Sequence, residues 1–312
     1  MKKILVKRCL QIVIVLFGVS FITFSLMYLA PGDPATAMFE ASGVIPTPKQ
    51  IETVRASLGL DKPFLEQYTN WISNALRGDL GMSMARKVPV ATLIAQRIVP
   101  TAQLALFSMI LMVVVSIPLG IISAVKKDKI TDNIITVLSF FGMSMPNFWV
   151  GLVLMYICCV KFKLLPLITS KFNFTTMLLP GITLAIAMSA KYIKQTRTAV
   201  LEELNQDYVT GARARGIPFR TILFRHVLPN VMLPLITLFG LSVGSLLAGT
   251  AIVEVVFSYP GLGSLGVMAA TARDYQLTQG FVLYVALIYM VINLLVDISY
   301  SLVDPRIRRG GK

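Results

Sequence analysis

Residues 210–229 read Thr210-Gly211-Ala212-Arg213-Ala214-Arg215-Gly216, then nine residues, then His226-Val227-Leu228-Pro229. This basic, glycine-marked stretch lies between two apolar runs, and each run is long enough to cross a lipid bilayer. Two apolar spans joined by a charged segment predict an integral membrane protein that presents this segment to an aqueous compartment.

The composition supports the same class. Of the 312 residues, 55% are hydrophobic and 14% are charged, whereas a soluble domain carries about a quarter charged residues. We therefore predict an all-α integral membrane protein with six transmembrane helices, a helical extracytoplasmic loop and a helical cytoplasmic segment. The six predicted spans are about Cys9–Ala30, Thr101–Ala124, Ile134–Val160, Thr176–Ile193, Val231–Val255 and Phe281–Val303.

The basic residues predict the orientation. An even number of spans places both termini on one side, and that side then holds most of the 29 Lys and Arg residues. Because basic residues accumulate in cytoplasmic loops, both termini are predicted to be cytoplasmic. This bias, and contact with the lipid bilayer, explain the net charge of +14 without a nucleic-acid partner. The apolar run from Cys9 is longer than the core of a signal peptide, which favours an uncleaved first span.

The spans and loops divide the chain into predicted regions. The first loop is too long for a plain connector, and its apolar periodicity predicts helices over Lys49–Leu60 and Leu65–Leu76, which form a small cap on the outer surface. The predicted regions are an N-terminal transmembrane helix at 1–31, an extracytoplasmic helical loop at 32–100, a core transmembrane domain at 101–303 with a cytoplasmic segment at 199–230, and a cytoplasmic tail at 304–312.

Several residues within the spans are candidates for a translocation path or gate. Pro146 interrupts a span, either as a simple kink or as part of a polar pathway. The small residues of Val231–Val255 favour close helix packing, within the chain or beside a path. Glu254 is an acid near the end of a span, for which a gate contact and a structural pair stay open, whereas a structural role is favoured for Asp297. The path candidates are Ser144, Pro146, Asn147, Gly244, Ser245 and Glu254.

Residues for catalysis are scarce. The chain has one histidine and three cysteines, without the spacing of a zinc site, and it lacks the Gly-rich phosphate-binding motif of ATPases. We predict no catalytic residue, no metal ligand and no cofactor bound by this chain.

The segment from Ala199 to Gly216 has helical periodicity, with acids toward its beginning and arginines toward its end, an order that suits the helix dipole. Gly216-Ile217-Pro218 ends this predicted helix, and a second short helix from Phe219 to Val227 follows. Two short helices of this kind suit a groove on another protein. An ordinary solvated basic loop is equally consistent with these physical features.

A set of motifs along the chain resembles the permease family of dipeptide, oligopeptide and nickel ABC importers. Thr210-Gly211-Ala212 stands where the general importer signature, the EAA motif, has Glu-Ala-Ala, and His226 replaces an aliphatic residue, as is common in this branch. The remaining matching stretches are Pro31-Gly32-Asp33-Pro34, Leu58–Pro63, Gly78-Asp79-Leu80-Gly81, Pro146-Asn147-Phe148-Trp149, Ala212–Gly216, His226–Asn230, Glu254–Gly263 and Asp304–Arg308.

The resemblance implies a transport subunit, not an enzyme, in a bacterial cytoplasmic (inner) membrane. It makes residues 101–303 the core transmembrane permease domain and residues 199–230 its cytoplasmic coupling-helix segment. It implies a heterodimer with a second homologous permease, two ATPase subunits that bind ATP and Mg, and an extracytoplasmic solute-binding protein. Nickel or a metal chelate and short peptides both stay open as solutes. The alternative is a self-sufficient secondary transporter or channel. The residues implied in ATPase coupling are Tyr208, Thr210, Gly211, Ala212, Arg213, Arg215, Gly216, His226 and Pro229.

Overall fold

A computed structural model describes residues 2–41, 44–166 and 173–303. These residues form α-helices and two π-helical turns, Tyr156–Lys161 and Ile222–Val227, without a named strand. The predicted tail 304–312 lies outside them. The helices are α1 Lys2–Leu29, α2 Pro34–Ala41, α3 Pro48–Ser57, α4 Phe64–Leu76, α5 Val90–Val125, α6 Ile130–Ser144, α7 Asn147–Met155, α8 Phe174–Leu204, α9 Asp207–Ala214, α10 Phe219–Thr221, α11 Leu228–Val256, α12 Leu262–Thr271 and α13 Tyr275–Val303.

Several of these helices suit a membrane. Within the described residues, four stretches are long and apolar enough to cross a bilayer, and the pair α6 and α7 counts as a fifth if it is one broken span. The helix α11 coincides with the predicted span Val231–Val255, although some of its side chains lie outside the described set. The all-helical membrane class is confirmed, and the number six stays a prediction. The four stretches are Arg8–Leu29, Val90–Val125, Phe174–Leu204 and Tyr275–Val296.

Two of the helices extend about ten residues beyond their predicted spans. The helix predicted from Thr101 begins at Val90 and runs through Pro100 and Pro118. It begins there because Pro89 supplies the first carbonyl, which accepts from Thr92 N at 3.1 Å. The span predicted to end at Ile193 continues to Leu204, since the polar residues that follow the apolar run are themselves helix formers.

The interruption at Pro146 is a full break. The helix α6 ends at Ser144, and α7 leaves it at an angle of 102°. Met145 is extended, with φ −87° and ψ 131°, because a residue before proline avoids the helical region. Pro146 then precedes the first turn of α7.

The described chain divides into two compact units. The first unit comprises residues 1–101 and 260–294. Its hydrophobic core joins the beginning of α5 with α12 and α13, and Gly266 allows the ring of Phe281 to approach within 2.3 Å of where a Cβ would stand. Asp274 accepts from Leu277 N at 3.1 Å at the start of α13 and from the Ser83 hydroxyl at 2.5 Å. The buried core residues are Val90, Leu93, Ile94, Leu262, Leu265, Ala269 and Leu277.

The helix α4 of the first unit lies alongside α1, where an outer cap is predicted. The rings of Tyr28 and Phe64 are 5.0 Å apart, and those of Phe17 and Tyr68 are 6.0 Å apart. The Tyr68 and Ser20 hydroxyls form a buried hydrogen bond of 2.9 Å. Phe17 stands twelve residues before the end of α1 at Leu29, which is about 18 Å along a helix. This part of the loop therefore packs along a membrane span.

The second unit comprises residues 102–259 and those from Leu295 onward. Its helices α6, α8 and α11 pack closely, and one of its cores lies where the ends of α5 and α8 meet α9 and the beginning of α11. Gly120 allows α5 to approach α8, because a Cβ there would stand 2.5 Å from Thr196 Cβ. This core carries the segment that the sequence singles out.

Candidate functional site

The coupling segment, residues 199–230, begins as the end of α8 and turns sharply. The continuous helix predicted over Ala199–Gly216 is wrong, because α8 ends at Leu204 and α9 begins at Asp207. Gln206 is extended, with φ −71° and ψ 150°, and this redirects the chain. The second predicted helix, Phe219–Val227, forms as α10 and a π-helical turn that leads directly into α11.

Gly216 ends α9 in a left-handed turn, at φ +76°. Its N–H donates to Arg213 O at 2.9 Å, and the N–H of Ile217 donates to Ala212 O at 3.2 Å. These two bonds form a Schellman motif, in which glycine is favoured because it adopts positive φ without strain. The predicted helix stop at Gly216-Ile217-Pro218 is confirmed.

One side of the coupling segment is buried. Ala212 is 3% exposed and belongs to a hydrophobic cluster with residues from four helices. Because buried side chains pack at the density of organic crystals, a force applied to α9 is transmitted to α5, α8 and α11. The cluster is Ala124, Val200, Val209, Ala212, Ile222, Leu223, Val227, Val231 and Leu235.

The other side of the segment is exposed and basic. It also carries two aromatic side chains, Phe219 at 39% and Phe224 at 64% exposure, and the Arg213 guanidinium lies 5.9 Å from the Phe219 ring centroid. Arginine and aromatic residues are enriched at protein interfaces. Of the nine predicted coupling residues, Ala212 alone is buried, and the exposed ones are Tyr208, Thr210, Gly211, Arg213, Arg215, Gly216, His226 and Pro229.

A polar cluster connects both ends of the segment. The Tyr208 hydroxyl donates to Glu203 Oε1 at 2.6 Å, and Asn230 Nδ2 donates to the same oxygen at 2.8 Å. Burial and the Glu203 carboxylate raise the pKa of Tyr208 above its ordinary value. In the sequence, Glu203 is one of the acids near the beginning of this segment, and no pattern connects it with Asn230. Their separation of 27 residues carries no helical periodicity that could have linked them.

A buried ion pair lies in the same unit. Arg197 on α8 donates through Nε and Nη2 to the two Asp132 oxygens, at 2.8 and 2.7 Å. The Ser123 hydroxyl and the Asp128 N–H also donate to this carboxylate, which is 3% exposed. Asp132 lies outside the predicted span, which begins at Ile134, whereas α6 begins at Ile130.

The structure describes the path candidates only in part. Ser144 and Pro146 are exposed and Asn147 is half-buried at the break between α6 and α7. Glu254, near the end of α11, is fully buried at 0% exposure. Gly244 and Ser245 lie on α11 by backbone, and their side chains, like that of Asp297, lie outside the described set. A role of these residues in a path stays a prediction.

The comparison with known families decides the identity. Residues 116–309 match the model of the binding-protein-dependent transport system inner membrane component. Residues 1–105 match the N-terminal region of the same membrane component. The chain belongs to this family. It is therefore a multi-pass membrane permease, and the family resemblance of its motifs is confirmed.

Relatives of this permease are similar to it in sequence over nearly its whole length. It is 38% identical to the oligopeptide transport system permease protein AppB of Bacillus subtilis over 97% of this chain and 98% of that one. It is 37% identical to the glutathione transport system permease protein GsiC of Escherichia coli, over 97% and 98% of the two chains. It is 36% identical to the dipeptide transport system permease protein DppB of Escherichia coli, over 99% of each chain. These relatives are named as permeases, which supports a transport role without catalysis.

A solved structure shares the fold. Inward-facing conformations of the MetNI methionine ABC transporter superpose with a TM-score of 0.56, covering 68% of this permease and 96% of that chain. The sequence identity is 16%, so this likeness concerns the fold alone.

Proposed function

We propose that this permease forms half of the translocation path of an ATP-driven importer of short peptides. It pairs with a second, related permease, two cytoplasmic ATPase subunits that bind ATP and Mg dock on it, and an extracytoplasmic binding protein delivers the solute. Both termini face the cytoplasm. In this arrangement the coupling segment is the contact with an ATPase.

The architecture of the coupling segment carries this proposal. A docking element must expose a surface that binds the partner, and it must pack against the helices that it moves. The exposed arginines and aromatics near Phe219 provide the surface, and the buried cluster around Ala212 provides the firm connection. Closure of the ATPases then biases a two-state equilibrium between outward- and inward-facing arrangements. A solvated loop without a packed side would not transmit this force.

Short peptides are the favoured solute because the three relatives described above are named for oligopeptides, glutathione and dipeptides. The predicted path runs beside the break at Pro146 and the small residues Gly244 and Ser245 of α11, with Glu254 as a candidate gate. Nickel or a metal chelate becomes a solute to be tested in competition.

The test is a reconstituted complex in liposomes, with dipeptide uptake and ATP hydrolysis measured together. We expect uptake that requires the ATPase subunits, the binding protein and ATP. Uptake of a dipeptide by the permeases without an ATPase would overturn the proposal and favour a self-sufficient transporter. Uptake of nickel, with no competition by dipeptides, would overturn the assignment of the solute.

A substitution at Gly216 tests the coupling role. Gly216→Leu places a bulky side chain on the exposed turn, and we expect dipeptide-stimulated ATP hydrolysis to fall about tenfold, which corresponds to about 1.4 kcal/mol of docking free energy. Gly78→Leu is the matched control, because Gly78 also has positive φ and open space around it but lies outside the segment. Both variants carry similar backbone strain, about 1–2 kcal/mol. Equal loss of stimulation in the two variants would contradict a docking role.

A further inference from the structure

A cavity of about 700 Å³ lies within the first unit, away from the coupling segment. Its walls come from the end of α1, from the residues that follow α3, from α4 and from the start of α13. This volume is within the range of small-molecule sites, about 300–1,000 Å³. The proposed import mechanism does not use this cavity.

One wall of the cavity belongs to the membrane span α1. Phe24, Met27 and Tyr28 line it, and α1 ends at Leu29. Phe24 lies about 7.5 Å along the helix from that end. The cavity therefore has an aromatic wall at one end of an apolar, span-length helix.

Trp71 of α4 contributes the most informative atom. It lines the cavity, and its indole Nε1 is buried without a hydrogen-bond partner among the described residues. A buried donor that lacks an acceptor costs about 1–3 kcal/mol, and a buried tryptophan N–H usually has a partner. A turn of the indole toward the cavity would bring this N–H to an oxygen acceptor of a bound molecule.

The charged residues of the lining are balanced in sign. Two acids, Asp33 and Asp79, and two bases, Arg55 and Lys62, line the cavity. Arg55 Nε is 3.3 Å from Asp33 Oδ1, and a guanidinium has further N–H donors for an anion. A lining of this kind suits a molecule that carries both a cationic and an anionic group.

The surroundings of α4 indicate where such a molecule comes from. The helix α4 also exposes Leu65 at 65% and Leu76 at 82%. Exposed leucines on a helix that packs along a membrane span are favourable in contact with acyl chains. A lipid accounts for these leucines and for the aromatic wall, whereas a free zwitterion accounts only for the charges.

We propose that this cavity binds one phospholipid with a zwitterionic, amine-bearing head group. The phosphate or ester oxygens accept from the Trp71 indole and from Arg55, the ammonium group lies near the acids, and an acyl chain follows α1 past Tyr28. The lipid thereby joins the extracytoplasmic loop to its membrane span. Under the proposed topology it comes from the outer leaflet.

The first experiment counts bound lipid. The full-length permease is equilibrated in detergent micelles that contain phosphatidylethanolamine, and bound lipid is measured by native mass spectrometry. We expect one tightly retained lipid on the wild type and about 5- to 30-fold weaker retention on Trp71→Phe, which keeps the aromatic packing and removes the donor. Trp149→Phe is the matched control, since Trp149 lies on α7 and is outside this lining.

A second experiment locates the lipid. The chain has two tryptophans, so Trp71 is the single indole reporter in the Trp149→Phe variant. We expect phosphatidylethanolamine with brominated acyl chains to quench its fluorescence. Arg55→Gln, a change at an exposed side chain, should raise the lipid concentration needed for quenching several-fold. Folding of each variant is checked by its thermal unfolding. Both measurements omit the ATPases, so a failed transport assay leaves their outcome unaffected.

Three results would overturn the proposal. These are a wild type that retains no lipid, a Trp71→Phe variant that is folded and retains lipid as well as the control does, and displacement of the lipid by millimolar dialanine. The last result would instead identify the cavity as a peptide site.

Discussion

Removal of the Asp132 carboxylate gives the sharpest stability prediction. In Asp132→Ala, Arg197 loses two charge-assisted hydrogen bonds of 2.8 and 2.7 Å. Loss of one partner of a buried ion pair costs about 3–5 kcal/mol, because the other charge stays buried. The Arg197 side chain is 26% exposed and regains some hydration. We therefore expect a loss of about 3 kcal/mol in the free energy of unfolding, at the lower end of that range.

The assay is equilibrium unfolding in mixed micelles of a nonionic detergent and sodium dodecyl sulfate, followed by circular dichroism. Arg197→Lys should cost about 1–2 kcal/mol, since an ammonium cannot reproduce the planar, bidentate contact. In a double-mutant cycle of Asp132→Ala with Arg197→Met, the combined loss should be smaller than the sum by about 2 kcal/mol. Asp61→Ala, at an exposed acid, is the control and should change stability by less than about 0.5 kcal/mol.

Two outcomes would refute this reasoning. A loss below about 1 kcal/mol for Asp132→Ala would place the pair among weak surface ion pairs. Strict additivity in the cycle would show that the carboxylate acts through Ser123 and the backbone instead of through Arg197.

Three further predictions concern packing, a buried hydrogen bond and pH. Gly266→Ala should destabilise the permease by about 1–3 kcal/mol, because a Cβ there meets a phenylalanine ring at 2.3 Å. Gly18→Ala, in α1 with open space around it, should leave stability unchanged or raise it by up to about 1 kcal/mol, because alanine is the better helix former. Thermal unfolding compares the two variants. Ser20→Ala and Tyr68→Phe should each cost about 1 kcal/mol, and the double variant should cost less than their sum if the 2.9 Å bond joins them. Because the pKa of Tyr208 is raised in the folded state, its contribution to stability is complete below the ordinary tyrosine pKa and is lost as pH rises through the raised value. Urea titrations at alkaline pH should show that the free energy of unfolding falls less above about pH 10 in Tyr208→Phe than in the wild type.

The sequence predicted the features that depend on local patterns. Apolar runs gave the spans, and the stop at Gly216-Ile217-Pro218 is the Schellman turn. Spacing and resemblance indicate the coupling residues, and all but Ala212 lie on the exposed side of one segment. Local signals of this kind arise from helix geometry and glycine backbone freedom, which a single sequence displays.

The features that depend on distant contacts were not predictable. The sequence around Asp132 is typical of a loop beside a basic cluster. Asp132 forms a buried ion pair only because Arg197, 65 residues later, packs next to it. The same holds for Asn230 with Glu203. The start of α5 was misplaced because Pro100 resembles a helix boundary, although the helix passes through it. The aromatic contacts of α4 with α1 have no periodic signature that distinguishes them from a surface cap.

The contact between Ser83 and Asp274 joins residues that are 191 positions apart. A ribosome that adds about 5–20 residues per second needs about 10–40 s to make the intervening chain. During this time the turn at Ser83 and the apolar beginning of α5 lack their final neighbours on α12 and α13. We expect the first unit to complete its folding only after the last span has been inserted. Until synthesis ends, the nascent permease therefore depends on protection from proteases and aggregation.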